Sequence, residues 1–334
     1  MKRTIIIAEA GVNHNGNLEM AREMVRVAAR AGADYIKFQT AVPELVISAY
    51  APKAEYQKQT TGEAESQLEM CRAIHLPLSD YAGLAALCRE EGIGFVSTPF
   101  DFPSIECLRP LGMDFWKIPS GEVTNLPYLR KIAGIGEPVI LSTGMSRLDE
   151  VKEAVEILCA NGLSKDKISL LHCTTQYPTM PEDVNLRAME PLRELGCRAV
   201  GYSDHTEGIE ISLAAAAMGA EVIEKHFTLD KTLPGPDHKA SIDPEELVAL
   251  VKGIRKIDAA IGVPVKQVAN GEQGNIAIAR RSIVAARAIR KGETFSAGNL
   301  ELKRPGTGLS PMLWDSVVGR PAPRDFAPDE LIEL

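Results

Sequence analysis

Short apolar runs alternate with amphipathic stretches through most of the chain. Thr4 to Ala8, Asp34 to Phe38, Gly94 to Ser97, Asp114 to Ile118, Glu137 to Leu141, Ile168 to His172, Ala199 to Tyr202 and Ala220 to Glu224 read as buried strands. Between the first two, Leu18, Met24, Val25 and Ala28 mark one face of a helix that closes at Ala31 and Gly32. Ser79 is expected to cap the helix carrying Leu84, Leu87 and Cys88. Further helices are expected over Leu148 to Cys159 and from about Asn185 to Leu195. Pro244 opens the last one, which runs to Ile261, because its missing N–H costs nothing in a first turn. Eight strand–helix units in about 260 residues predict an α/β fold, a (β/α)8 TIM barrel over residues 1–262. A doubly wound sheet would carry a glycine-rich dinucleotide loop after its first strand, and GVNHNG (Gly11 to Gly16) is not that loop.

Two stretches break the rhythm. Residues 40–77 are polar and irregular, and EYQKQTTGEAESQL within them offers Thr60, Thr61, Glu65, Ser66 and Gln67 near a strand end. A long excursion of this kind commonly closes over a site, and surface decoration is the alternative. After the barrel, residues 263–280 read as a linker, and 281–334 alternate short strands with KGE and AGN turns. Some fifty residues are marginal for a core of their own, so this module is expected to pack on its barrel or on a partner.

Composition narrows the function classes. The chain has 334 residues, 45% of them hydrophobic, and a formal charge of -8, which argues against general nucleic-acid binding. It has no run of eighteen apolar residues and no export signal, so no membrane role is expected. Six scattered cysteines without a CxxC pair suggest reduced thiols in the cytoplasm.

The strand ends carry the chemistry. His205 and His226 follow neighbouring apolar runs, and two imidazoles at one end of a sheet can hold a divalent ion. Lys37 (YIKFQ) and Lys117 (FWKIP) stand between apolar neighbours, where an unpaired charge is expensive. With Thr98, Ser120, Ser142 and Ser203 they form a donor set for a phosphate or carboxylate. Gly121 and Gly144 let backbone approach a ligand. Glu9 and Glu122 are candidates for proton handling or a further metal position, and Gln39, Thr175, Tyr177 and Asp237 complete the polar strand ends. An anion cradle beside a carbonyl-activating ion suggests carbon–carbon bond chemistry on a phosphorylated substrate.

The motifs AEAGVNHNG, IKFQT, STPFD, WKIPSGE, ILSTGM, LLHCTTQYPT, GYSDHT, IEKHFTLDK and GPDH, in this order, resemble the sialic acid synthase family. The tail KGETFS, NL and KRPGTG resembles the antifreeze-like (SAF) domain that ends these enzymes. The resemblance implies condensation of phosphoenolpyruvate with an open-chain N-acylated hexosamine and water, releasing phosphate by C–O cleavage. It implies Mn2+, with Mg2+ or Co2+ as alternatives, on His205 and His226. It assigns phosphoenolpyruvate to Lys37, Thr98, Lys117, Ser120, Ser142 and Ser203, and the attacking water to Glu122. Glu9 and Asp237 match acidic residues around the acceptor and the metal, and Tyr177 and Arg304 fall to the acceptor, beside Thr175, where some relatives have Asn. It also implies a domain-swapped homodimer. N-acetylmannosamine is taken first as acceptor, giving an N-acetylneuraminate synthase. The alternative is the 2,4-diacetamido trideoxy sugar, giving an N,N'-diacetyllegionaminate synthase. Two rivals stand outside this chemistry: an aldolase with Lys117 as Schiff base, and a carbohydrate- or ice-binding protein suggested only by the tail.

Overall fold

The computed structural model describes residues 3–54, 57–58 and 66–334. Thr60, Thr61 and Glu65 lie outside the described residues. Met1–Gly262 and Val263–Leu334 form two compact units.

The first unit is a (β/α)8 barrel. Its strands are β1 (Ile5–Gly11), β2 (Tyr35–Thr40), β3 (Gly94–Pro99), β4 (Trp116–Ile118), β5 (Val139–Ser142), β6 (Ile168–Cys173), β7 (Ala199–Asp204) and β8 (Val222–His226). All ladders are parallel, in the order β3-β2-β1-β8-β7-β6-β5-β4, and β3 and β4 lie alongside each other to complete the ring. The helices that follow the strands in turn are α1 (Leu18–Ala31), α2 (Tyr81–Glu91), α3 (Phe102–Leu108), α4 (Leu126–Ala133), α5 (Leu148–Ala160), α6 (Met189–Glu194), α7 (Glu210–Ala217) and α8 (Pro244–Ile261).

Local chemistry accounts for the helix ends. Asn17 caps α1 by accepting from the Met20 N–H, and Gly32 takes the left-handed exit at φ 83°. Asp243 and Glu246 form a reciprocal capping box on α8, with Pro244 in its first turn. The α8 face Leu247, Leu250, Val251 and Ile254 is buried, each side chain contributing roughly 1.5–3 kcal/mol. No described helix is long and apolar enough to cross a membrane.

Three expectations need correction. Ser79 is not a cap: a 3-10 turn, Leu78–Asp80, runs directly into α2, and the Ser79 hydroxyl donates to Asp80. The helix expected from Asn185 starts as a 3-10 turn and becomes α-helical only at Met189. Pro191 explains the delay, because without an N–H it fits only the first turn. Seven of the eight strands also run past their expected carboxyl ends, β4 stopping at Ile118 as expected, while β4, β5 and β8 each start two residues later than expected, so Lys225 and His226 lie within β8. Parallel ladders pair backbone regardless of side chain, whereas hydropathy stops at the first charged residue.

In the second unit, β9 (Ser282–Ala285) pairs antiparallel with β10 (Leu300–Lys303). Ile283, Ile289, Phe295, Leu300, Val317 and Phe326 belong to its own core. A short helix, Gln273–Ala279, precedes β9, and its Ala277 carbonyl accepts from the Gly306 N–H at 2.7 Å.

Candidate active site

Side chains alternate along each barrel strand, so one register places a single layer of polar groups inside the carboxyl end. Glu9 stands opposite Lys37 and His226, Gln39 opposite Thr98, and Ser203 opposite Glu224. A cavity of about 180 Å3 opens there, lined among others by Lys37, Thr98, Lys117, Ser142, Ser203 and Glu224. Gln39, Ser120, Gly121, Thr175, Tyr177 and His205 complete the predicted part of its wall.

The two lysines are held by two carboxylates. Lys37 Nζ lies 2.8 Å from Glu9 Oε2 and 3.7 Å from Glu224 Oε1, and Lys117 Nζ is also 3.7 Å from Glu224 Oε1. Lys37 donates to Thr98 Oγ1 at 3.1 Å, Lys117 to Ser142 Oγ at 2.7 Å, and Ser203 Oγ to Glu224 Oε1 at 3.0 Å. Burial opposes every charge in this cluster, and the neighbours decide which survive. Burial raises the Glu9 pKa to about 7 despite Lys37. For Glu224, Lys117 and Lys37 outweigh burial and lower its pKa. Burial is likewise outweighed at Lys37, where Glu224 and Glu9 raise the pKa, whereas at Lys117 burial prevails and lowers it. The expected donor set is therefore assembled, and Glu224 is the carboxylate the sequence reading passed over. Its signal was available: two lysines buried in strands require countercharges, and Glu224 stands in the apolar run before Lys225 and His226.

The imidazoles sit beside this layer. The rings of His205 and His226 are 5.4 Å apart between centroids, and Tyr177 stacks within 4.2 Å of His205 and meets His226 edge-on at 5.7 Å. His205 Nδ1 donates to the Thr174 carbonyl at 2.6 Å, leaving Nε2 with its lone pair. Burial lowers the His205 pKa to about 4 and, together with His205, holds His226 well below its ordinary value. His226 Nδ1 is buried without a hydrogen-bond partner. Two neutral imidazoles with lone pairs, one ring nitrogen unsatisfied, fit a divalent ion. Among the described residues no set of three or more His, Cys, Asp or Glu forms a ready-made metal cage. Such an ion would take its other ligands from water or substrate.

Other predicted residues lie off this cavity. Glu122 sits in the turn Ser120–Glu122 after β4, half-buried, with its pKa raised by burial and its carboxylate accepting from Asn125 Nδ2. Asp237 is buried in the β8–α8 loop, its pKa raised by burial to about 6. Arg304 belongs to the second unit, where its Nε donates to the Ala279 carbonyl at 3.0 Å. Gly144 has a steric reason to lack a side chain: a Cβ there would lie 2.2 Å from Thr175 Oγ1 and 2.9 Å from Ser120 Oγ. Gly121 has open space beside it and lines the cavity.

The NeuB family model matches residues 24–266, and the SAF domain model residues 280–333. The N,N'-diacetyllegionaminic acid synthase of Campylobacter jejuni is 51% identical over 332 residues, covering 99% of each chain. The enzyme of the same name from Legionella pneumophila is 47% identical over 317 residues, 94% of this chain and 89% of its own. The crystal structure of the N-acetylneuraminic acid (sialic acid) synthetase of Leptospira borgpetersenii superposes with a TM-score of 0.71 at 35% identity. That match covers 82% of this chain and 90% of the other.

Proposed function

The chain is an enzyme of the NeuB family, and from that premise we propose that it condenses phosphoenolpyruvate with 2,4-diacetamido-2,4,6-trideoxymannose, forming N,N'-diacetyllegionaminate. The sequence reading put N-acetylmannosamine first. Similarity to two diacetyllegionaminic acid synthases, one at 51% identity, supports reversing that order. The observation carrying the chemistry is the cluster of Lys37, Lys117, Glu9 and Glu224 beside two neutral imidazoles.

In this reading Lys37 and Lys117, with the hydroxyls of Thr98, Ser120, Ser142 and Ser203, hold the phosphate and carboxylate of phosphoenolpyruvate. C3 of phosphoenolpyruvate attacks the aldehyde carbon of the sugar, and the aldehyde oxygen gains a proton. The positive charge left at C2 lies within the field of Glu224, whose pKa the two lysines lower. Water adds at C2 and gives up a proton, for which Glu122, next in the turn after the cavity-lining Ser120 and Gly121, is the candidate acceptor through an intervening water, its raised pKa making it a better base than an ordinary carboxylate. The bond from C2 to the phosphate oxygen then breaks, inorganic phosphate leaves with the electron pair, and the C2 hydroxyl gives up its proton as the ketone forms, so that the two protons of water end on the new hydroxyl and on phosphate. A divalent ion held by His205 and His226, manganese by family resemblance, would supply Lewis acidity at the aldehyde. Gln39, Thr175, Tyr177 and Asp237 remain for the sugar. Homodimer formation, which would bring Arg304 into play, belongs to the same reading, and sedimentation of the purified chain tests it.

Steady-state assays with both acceptors test the assignment. The diacetamido sugar is expected to give the higher kcat/KM, and a higher value for N-acetylmannosamine overturns it. Borohydride with pyruvate should leave Lys117 unmodified; a reduced adduct there would favour a Schiff-base aldolase.

A further inference from the structure

The reaction cavity has a larger neighbour. About 580 Å3 of space lies between the start of α5 and the approach to α6, and Met145, Cys173 and Thr175 line both cavities. Thr175 Oγ1 is shielded from solvent and has no hydrogen-bond partner. It packs against Gly144, where no Cβ fits, so the wall between the two spaces is thin. On the far side, Gln176 and Asn185 contribute carboxamides, and Val151, Ala188 and Leu192 contribute apolar surface.

We infer that this second cavity receives the acyl group on the second nitrogen of the acceptor, with Thr175 as the specificity-determining residue at its entrance. The inference rests on the acceptor proposed above. Size is the first argument. A small-molecule site usually encloses roughly 300–1,000 Å3, and the reaction cavity has only about 180 Å3. Phosphoenolpyruvate takes up much of that, so the far end of the sugar must lie beyond it.

Direction is the second. The Thr174 carbonyl fixes His205, at the aldehyde end of the proposed site. C4 of the sugar is three carbon–carbon bonds from the aldehyde carbon, about the span between adjacent Cα atoms. A sugar lying along the β6 loop from Thr174 therefore brings its 4-substituent to Thr175. Chemistry is the third argument: an acetamido group needs a donor, an acceptor and an apolar seat for its methyl. The Thr175 hydroxyl, shielded from solvent and without a partner, reaches the cavity only by turning about the Cα–Cβ bond, after which it can donate or accept; the carboxamides can do both, and Ala188 leaves room for the methyl.

Acceptors with longer 4-N-acyl chains test the inference without disturbing the protein. The 4-N-propanoyl and 4-N-butanoyl homologues of the diacetamido sugar are expected to react with kcat/KM within tenfold of the parent. In Ala188→Phe, which fills the cavity away from the reacting atoms, both the parent and its homologues should lose tenfold or more. KM for phosphoenolpyruvate should stay within twofold. Gln176→Ala, at an exposed position on the cavity edge, is a second variant that does not disturb packing, and it should lower kcat/KM for the diacetamido sugar threefold or more. A loss beyond tenfold for the butanoyl homologue with native enzyme, or an unchanged kcat/KM for the diacetamido sugar in both variants, overturns the inference. A native preference for N-acetylmannosamine would instead overturn the acceptor assignment itself, and the two failures are read from different assays.

Discussion

Lys225 Nζ lies 3.1 Å from Asp204 Oδ2, with both side chains essentially inaccessible to solvent. The two residues face each other in register across β7 and β8, and each immediately precedes one of the paired imidazoles. Because neighbouring strand residues point to opposite faces, fixing this pair outside the barrel helps direct His226 into it. Asp204 also accepts from the Thr206 N–H and hydroxyl and from Ser212 Oγ, while Lys225 donates to the Thr206 carbonyl.

Removing one partner leaves a buried charge unmatched. Lys225→Met is predicted to destabilise the barrel by about 3–5 kcal/mol, measured by urea denaturation. Adding Asp204→Asn should recover a large part of that loss; a double variant no better than the single one would contradict the pairing.

Glu224 is the carboxylate shared by both site lysines. Glu224→Gln is predicted to lower kcat by roughly 10²–10³-fold, with KM for phosphoenolpyruvate unchanged or lower, since a negative charge leaves the anion site. A raised KM with normal kcat would show that Glu224 only orders the lysines.

With a pKa near 7 caused by burial, Glu9 is partly protonated at neutral pH. An anion arriving beside it favours the protonated form, so binding should take up a proton. Phosphoenolpyruvate affinity of the metal-free enzyme is therefore predicted to fall as pH rises from about 6 to about 8. Calorimetry in buffers of different ionisation heat measures the proton directly, and Glu9→Gln should flatten the profile. Proton release on binding would reverse the sign.

His205→Ala and His226→Ala are each predicted to abolish the stimulation of phosphate release by divalent ions. The thermal midpoint of the native chain should rise with Mn2+ and that of either variant should not. Retained stimulation in both would remove the metal from these imidazoles.

Gly144→Ala would drive a methyl into Thr175 Oγ1 and Ser120 Oγ. A stability loss of about 1–3 kcal/mol is expected. Because Ser120 is a proposed phosphoenolpyruvate contact, kcat/KM for that substrate should also fall at least tenfold. Wild-type kinetics in this variant would separate Ser120 from the substrate.

The sequence alone was enough for the barrel and for the residues at its mouth, because both depend on local signals. Apolar runs at regular intervals specify strand and helix, and a polar residue ending such a run must emerge at the same end of a parallel sheet. Lys37, Lys117, Thr98, Ser142, Ser203 and His205 were all legible in this way. Strand ends were less so, since hydropathy stops where backbone pairing continues, and the start of α6 depended on how one proline fits a turn. Only the tertiary structure decided which charges meet. Glu224 reads as one more acid in an apolar run until β8 is set beside β7 and across from β2 and β4. Then its carboxylate lies 3.7 Å from two lysines 187 and 107 positions earlier. The cavity behind Thr175 likewise exists only once α5 and α6 are packed against the barrel. Pairing across the barrel and space between helices are properties of distance in three dimensions, which the order of residues along the chain does not carry.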